Sequence, residues 1–260
     1  MKYITKSVLA LTITALTLLA AGAAHALTSQ TSQWDFDQIS TAYGYLANNT
    51  DPSSPLIAPS NWSGSLVSGL DGSENAVYFP GWTQLINGNQ VDATASSLSV
   101  ADDAKFNAST GSSFTMSAYV NALDPSALVN SGVMVSHDTL NIMQKGLSGG
   151  KRQQWKLSVN VKGQFICAFR GPNASGSLMA ARATSNRYAF GVTRHVTCGL
   201  GGGVITLSVD TAGQVDTYKA TGPVSVSNTS DITVGKKPGS TYPGDTFAGT
   251  LDDIVITKVQ

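Results

Sequence analysis

Three kinds of side chain in this sequence have the chemistry to bind or react: a sparse set of carboxylates, arginines confined to one stretch, and tryptophans in predicted loops. Glycoside cleavage needs two carboxylates flanking the scissile bond. The single glutamate, Glu74, falls in a turn, and no two aspartates lie four apart on a predicted central strand. Gly146-Leu-Ser148-Gly-Gly150 fits the nucleophile-elbow pattern, which acts only at a strand–turn–helix junction. Here strands flank it on both sides, so a surface turn is expected. The aspartates suit a hard cation better. Asp35 and Asp37 share one face of an extended Gln33-Trp-Asp-Phe-Asp37, opposite Trp34 and Phe36, and Asp252 lies in line with Ile254 and Ile256. A carboxylate aligned with two isoleucines costs several kcal/mol unless something pairs with it. Asp252 therefore either accepts backbone hydrogen bonds or meets a cation such as Ca²⁺, which takes oxygen ligands.

Sugar recognition would use aromatic faces and guanidinium donors. Trp62 and Trp82 stand in loops between polar neighbours, as sugar platforms or as caps on the core edge, whereas Trp34 and Trp155 alternate with apolar strand residues and belong to the core. Arg182, Arg187 and Arg194 are either grips for carboxylate or sulfate groups or a solvated basic surface.

The elements that must position these groups are short strands. Phe114–Val120 alternates cleanly, with Phe114, Met116, Ala118 and Val120 on one face. Trp155–Val161 alternates equally well, turns at Lys162-Gly163 and returns as Phe165–Phe169. Further strands are predicted at Asn75–Pro80, Leu98–Val100, Val133–Ser136, Leu140–Gln144, His195–Cys198, Val204–Asp210, Ile232–Val234 and Phe247–Thr257. Residues 38–69 read as an irregular excursion, and 170–194 as a loop rich in Gly, Ala and Ser. About a dozen strands, with no convincing helical period, mean a sandwich or a barrel. The closing strand is expected to pair with Gln33–Asp37. Cys167 and Cys198 fall in phase with core residues on neighbouring predicted strands, and a disulfide between them is expected in an oxidising compartment.

Residues 1–26 carry the marks of an export signal: Lys2 and Lys6, an apolar run from Val8 to Leu19, and Ala24-His25-Ala26. Residues 27–260 then form one domain, secreted or periplasmic, with no membrane span. No nucleic-acid partner is expected. Net charge is zero but unevenly spread. Residues 27–138 hold ten acids against Lys105, and residues 139–209 hold nine Lys and Arg with no acid. Either these segments interleave and neutralise one another, or they leave a basic face for an acidic polysaccharide.

Five stretches then line up with one family in order. Leu70-Asp-Gly-Ser-Glu-Asn-Ala-Val-Tyr-Phe-Pro80, Phe114–Val120, Gln144-Lys-Gly146, Val204–Gln214 and Phe247–Ile256 together resemble laminin G-like domains of the concanavalin A-like lectin/glucanase superfamily. Tyr119 stands where those domains usually carry Trp. The resemblance implies an all-β, two-sheet antiparallel jelly-roll sandwich, and it leaves activity open, because the superfamily holds lectins, adhesion domains, glycosidases and lyases alike. It also implies a structural Ca²⁺ between the chain ends, with the Gly72 carbonyl, Asp252 and Asp35 or Asp37 as ligands. The paired glutamates of its glucanases are absent, and the mature chain offers only His137 and His195 for lyase chemistry. The expectation is a non-catalytic lectin-like module for extracellular or cell-surface carbohydrate. A structural or adhesion protein working through protein contacts comes second, and a polysaccharide-degrading enzyme third.

Overall fold

The computed structural model describes residues 28–36, 39–40, 45–46, 50–60, 62–70, 72, 75–81 and 97–260. The predicted signal segment, Asp37, Asp71, Glu74 and Trp82 lie outside these residues. Two antiparallel sheets face each other. In the first, β15 (Gln214–Thr221), β14 (Val204–Thr211), β13 (Arg194–Gly201), β8 (Ser113–Ala122), β17 (Gly249–Val259), β6 (Asn75–Phe79) and β5 (Ser65–Ser68) lie side by side, and β1 (Ser29–Trp34) also pairs with β17. The second runs β12 (Leu178–Arg187), β11 (Gln164–Pro172), β10 (Gln154–Asn160), β9 (Thr139–Gly146), β16 (Ile232–Val234), β7 (Leu98–Val100), β4 (Leu56–Ile57), β3 (Tyr45–Leu46) and β2 (Ile39–Ser40). The fold is therefore an all-β, two-sheet antiparallel jelly-roll sandwich. The excursion after β1 supplies edge strands rather than a free loop.

Period-two alternation builds the core. Phe114, Met116, Ala118 and Val120 of β8 face Trp155, Leu157 and Val159 of β10 and Phe165, Cys167 and Phe169 of β11 within one buried cluster. Phe114 packs at 5.6 Å from the ring of Trp155 and edge-on against Phe169 at 6.4 Å. The two buried indoles satisfy their N–H groups on backbone, Trp34 on the Ser54 carbonyl (3.0 Å) and Trp155 on that of Phe106 (2.8 Å).

Five expectations change. The segment Val133–Ser136 follows a five-residue helix α1 (Ser126–Asn130) and is a turn, not a strand. Residues 178–187 form a full edge strand, β12, although Leu-Met-Ala-Ala-Arg-Ala has neither alternation nor β-branched residues. Pairing with β11 overrides local propensity there. β13 runs on through Gly199 to Gly201, so the glycine cluster turns only at Gly202-Gly203. Cys167 and Cys198 do form a disulfide, but on β11 and β13, so it joins the two sheets through the core instead of linking neighbours within one. Finally, β1 ends at Trp34, and Phe36 has a φ of 66°, so Asp35 lies beyond the strand instead of on one of its faces. That left-handed step lets Trp34 and Phe36, both 1% exposed, enter the same core cluster.

Candidate functional site

The outer face of the second sheet is built from the residues that alternate with the core. Register places Thr233, Gln144, Lys156, Ala168 and Arg182 in one row across five strands, and Gln154, Arg170 and Ala180 in the next. A bulge in β12, between the partners of Gln164 and Ile166, returns Arg187 to the same face as Arg182. Over β9 and β10 this face is covered. Gly235 donates to the Ile142 carbonyl (2.8 Å), Phe247 donates back to Gly235 (2.7 Å), and the 3-10 turn Pro243–Asp245 between them lies against β9. Asn141, Gln144 and Ser158 are consequently buried although they point away from the core.

Lys156 sits at the margin of this cover. Its ammonium donates to Thr139 Oγ1 (2.8 Å), and burial pushes its pKa down to about 8, with Lys237 adding to the effect and Asp245 opposing it. Beyond Lys156 the face is open. Ala168 and Ala180 floor a hollow of about 320 Å³ bounded by Arg170, Arg182, Gln154 and Ser148. Arg170 and Arg182 are diagonal neighbours on adjacent strands, a placement that sets side chains about 7–8 Å apart at their bases. The small alanine side chains between them leave room for an incoming group.

The guanidinium of Arg170 is held from one side only, by the carbonyls of Gly150 (2.6 Å) and Arg152 (3.2 Å) in the β9–β10 turn. The chain has five arginines, at 152, 170, 182, 187 and 194, and among the described residues every ion pair uses a lysine, none an arginine. Carboxylates around the face are already engaged, including Asp216, which accepts Tyr188 Oη (2.7 Å). Asp138 accepts Tyr242 Oη (2.6 Å) and Val135 N (2.8 Å), and Asp245 accepts Lys237 Nζ (3.1 Å) and Ser240 Oγ (2.7 Å). What remains is one guanidinium held by backbone carbonyls, Arg170, beside the exposed Arg182 and Arg187, none in an ion pair among the described residues, which suits carboxylate or sulfate oxygens.

Of the residues singled out by sequence, Arg182 and Arg187 lie on this face and Arg194 does not. Arg194 opens β13 in the first sheet, where its guanidinium stands 5.6 Å from the Tyr188 ring centre and donates to the Thr193 carbonyl (3.1 Å). Trp62 is half-buried. It packs edge-on at 6.3 Å from Phe79, with Gly64 directly against its ring and its Nε1 buried without a hydrogen-bond partner among the described residues. Arg170 was not singled out. Its signal was the run of nine basic residues without an acid, but only the β10–β11–β12 register shows which of them converge.

Asp252 departs from its expected place. A bulge between Asp252 and Val255, with Asp253 at φ 44°, sets Asp252 opposite Tyr119 on the outer face of the first sheet, while Ile254 and Ile256 face inward. It is still fully buried, because the backbone after β5 lies over it: Leu70 N donates to Oδ2 (2.8 Å) and Asp253 N to Oδ1 (2.8 Å). Asp35 follows Trp34, which pairs with Ile254, and Gly72 follows Leu70 by two residues, so Asp35, Gly72 and Asp252 come from adjoining segments. Among the described residues, no three His, Cys, Asp or Glu side chains cluster.

No protein-family model matches the sequence, and no curated protein matches it. By structure, the chain is similar to the binding domain of Paraclostridial Mosquitocidal Protein 1, with a TM-score of 0.56 at 16% identity, covering 86% of this chain and 47% of that one. It is also similar to domain 4 of AbnA, a GH43 extracellular arabinanase from Geobacillus stearothermophilus, in complex with arabinotriose. There the TM-score is 0.53 at 13% identity, covering 88% of this chain and 92% of that domain. A third similarity is to Trypanosoma rangeli sialidase in complex with the inhibitor DANA, with a TM-score of 0.50 at 12% identity, covering 87% of this chain and 30% of that one. The chain spans less than half the length of the first and third of these proteins. At such identities the likeness is one of fold, shared by binding domains and enzymes.

Proposed function

We propose that the chain is an exported, non-catalytic carbohydrate-binding module that engages an acidic polysaccharide or cell-surface glycan through the outer face of β11 and β12. Arg170, Arg182 and Arg187 grip the acidic groups, and Lys156 adds positive charge at the inner margin. The observation that carries this reading is that none of the five arginines forms an ion pair among the described residues, while three of them stand on one open strand face. Domain 4 of AbnA, which is similar to this chain in fold, is in complex with arabinotriose, and that likeness supports a carbohydrate-binding reading. The direct test is binding of the purified chain to hyaluronan, dextran sulfate and neutral dextran at rising salt. Salt-sensitive binding to the two charged polymers, lost in an Arg170→Ala/Arg182→Ala variant, is the expected result. Equal binding to neutral dextran would refute it.

The structural part of the proposal is a Ca²⁺ ion held by Asp252, Asp35 or Asp37, and the Gly72 carbonyl. The Asp252 carboxylate, oriented by the N–H groups of Leu70 and Asp253, supplies the kind of oxygen ligand that a hard cation takes. Calcium should raise the unfolding midpoint of the wild type and leave that of Asp252→Asn unchanged. An equal response in both proteins would remove Asp252 from the site.

The adhesion reading has one observation in its favour. β15 is an eight-residue edge strand, with Val215 61% exposed. Asp216 and Lys219 interrupt that edge, a common way of discouraging strand addition, so the carbohydrate reading is preferred.

A further inference from the structure

A hollow of about 650 Å³ lies at the end of the sandwich where β9 turns into β10, lined by residues from three segments, among them Asp102, Asn107, Lys151, Arg152, Gln153 and Asn228. A buried cation fixes its floor. Lys145 is 0% exposed, and its Nζ donates to Asp102 Oδ1 (2.6 Å), the Asn228 carbonyl (2.6 Å) and Asn228 Oδ1 (3.2 Å). Asp102 is thereby neutralised and held still, and its second carboxylate oxygen has no bond among the described residues.

The amides of the wall are spent in one direction. Asn107 Oδ1 accepts the N–H of Asn228 (3.2 Å), and Gln153 Oε1 accepts that of Ser227 (2.8 Å). Both side chains thus turn their oxygens into the protein, and their NH₂ groups carry no bond among the described residues. Lys151 and Arg152, both exposed, complete the wall. Of the carboxylates close by, Asp231 accepts the Asp102 backbone N–H (3.0 Å) and lines the neighbouring hollow, and Asp103 is paired with Lys105 (3.5 Å). The result is a site with two cations, two fixed amide donors and one fixed, charge-balanced acceptor.

We propose that this hollow is the subsite that selects a carboxylate-bearing sugar residue of the polymer. Its carboxylate meets Lys151 and Arg152, and its ring hydroxyls are read by Asp102, Asn107 and Gln153. This rests on the acidic-glycan reading and narrows it. The arginine face accepts sulfate and carboxylate alike, whereas the hollow requires a sugar ring with free hydroxyls beside its acid. The two sites are joined through the β9–β10 turn, because the Arg152 carbonyl that carries one wall of the hollow accepts Arg170 Nε of the face.

The test uses the full chain with polygalacturonate, dextran sulfate and neutral dextran. Asn107→Asp and Gln153→Glu keep the inward-accepting oxygen and replace only the outward NH₂ by a negative oxygen, so folding is preserved, as thermal melting will check. Combined, they should weaken polygalacturonate binding about tenfold or more and dextran sulfate binding far less. Lys151→Ala/Arg152→Ala should follow the same pattern, and Arg170→Ala/Arg182→Ala should weaken both polymers. Polygalacturonate binding retained within about twofold in the first two variants, but lost in the third, would overturn the subsite while leaving the acidic-glycan reading intact. Failure of the wild type to bind either charged polymer would overturn both.

Discussion

Replacing Lys156 by Met should stabilise the fold at neutral pH and lose that advantage as the solution becomes alkaline. The ammonium of Lys156 is largely buried on the outer face of β10, and its pKa falls from the ordinary 10.5 to about 8, chiefly through burial. A folded-state pKa below the unfolded value means that the unfolded chain binds more protons between about pH 8 and pH 10.5. Below that window the folded protein carries the full cost of a desolvated charge, and across it stability rises with pH. The gap between 10.5 and about 8 corresponds to about 3 kcal/mol. Methionine keeps the length and apolar stem of lysine and removes the charge. It also removes the bond to Thr139 Oγ1 (2.8 Å), which offsets the gain by about 1 kcal/mol. Lys156→Met should therefore be about 1–2 kcal/mol more stable than wild type at neutral pH. The difference should shrink steadily on passing pH 8 and reverse near pH 10.5, when the wild-type lysine is neutral and still bonded to Thr139. Urea titrations of both proteins across this range measure it directly, since titrating groups that do not interact with Lys156 cancel in the difference. A variant less stable than wild type at neutral pH, or a difference that does not change with pH, would show that the cover over β9 and β10 leaves Lys156 solvated.

Two further substitutions test the frame around the site. Cys167→Ala/Cys198→Ala opens a link spanning 31 residues between the sheets and should cost about 4 kcal/mol, read from denaturant midpoints under non-reducing conditions. A cost below about 1 kcal/mol would mean that the core alone fixes the two sheets. Gly64→Ala drives a methyl group into the Trp62 ring without altering the indole, and should cost about 1–3 kcal/mol while polymer binding is kept. Loss of binding at unchanged stability would instead make Trp62 a sugar platform.

Much of the frame was legible because β-strand chemistry is local. Phe114–Val120, Trp155–Val161 and Phe165–Phe169 alternate with a period of two, and each became a central strand with the expected face inward. The oxidised cysteine pair was legible too, from the phase of Cys167 and Cys198 with core residues. The failures share one cause. Leu178–Arg187 lacks any strand pattern, and it is extended because β11 offers it a partner. Asp252 was aligned with two isoleucines by counting, and one bulged residue reversed the count.

The sequence by itself determined that the chain is built of β-strands as a sandwich or a barrel, that its two cysteines are placed to pair, and that its positive charge is concentrated in residues 139–209. These follow from composition and from periods of two, which survive without knowledge of partners. Tertiary structure alone decided where that charge stands. Register across β10, β11 and β12 places Arg170 and Arg182 around two alanines, and a bulge in β12 returns Arg187 to their side. It also decided that Lys145, from the same basic run, is a buried cation holding Asp102 in place. Strand order, bulges and cross-sheet contacts depend on residues far apart in sequence, so no local pattern encodes them.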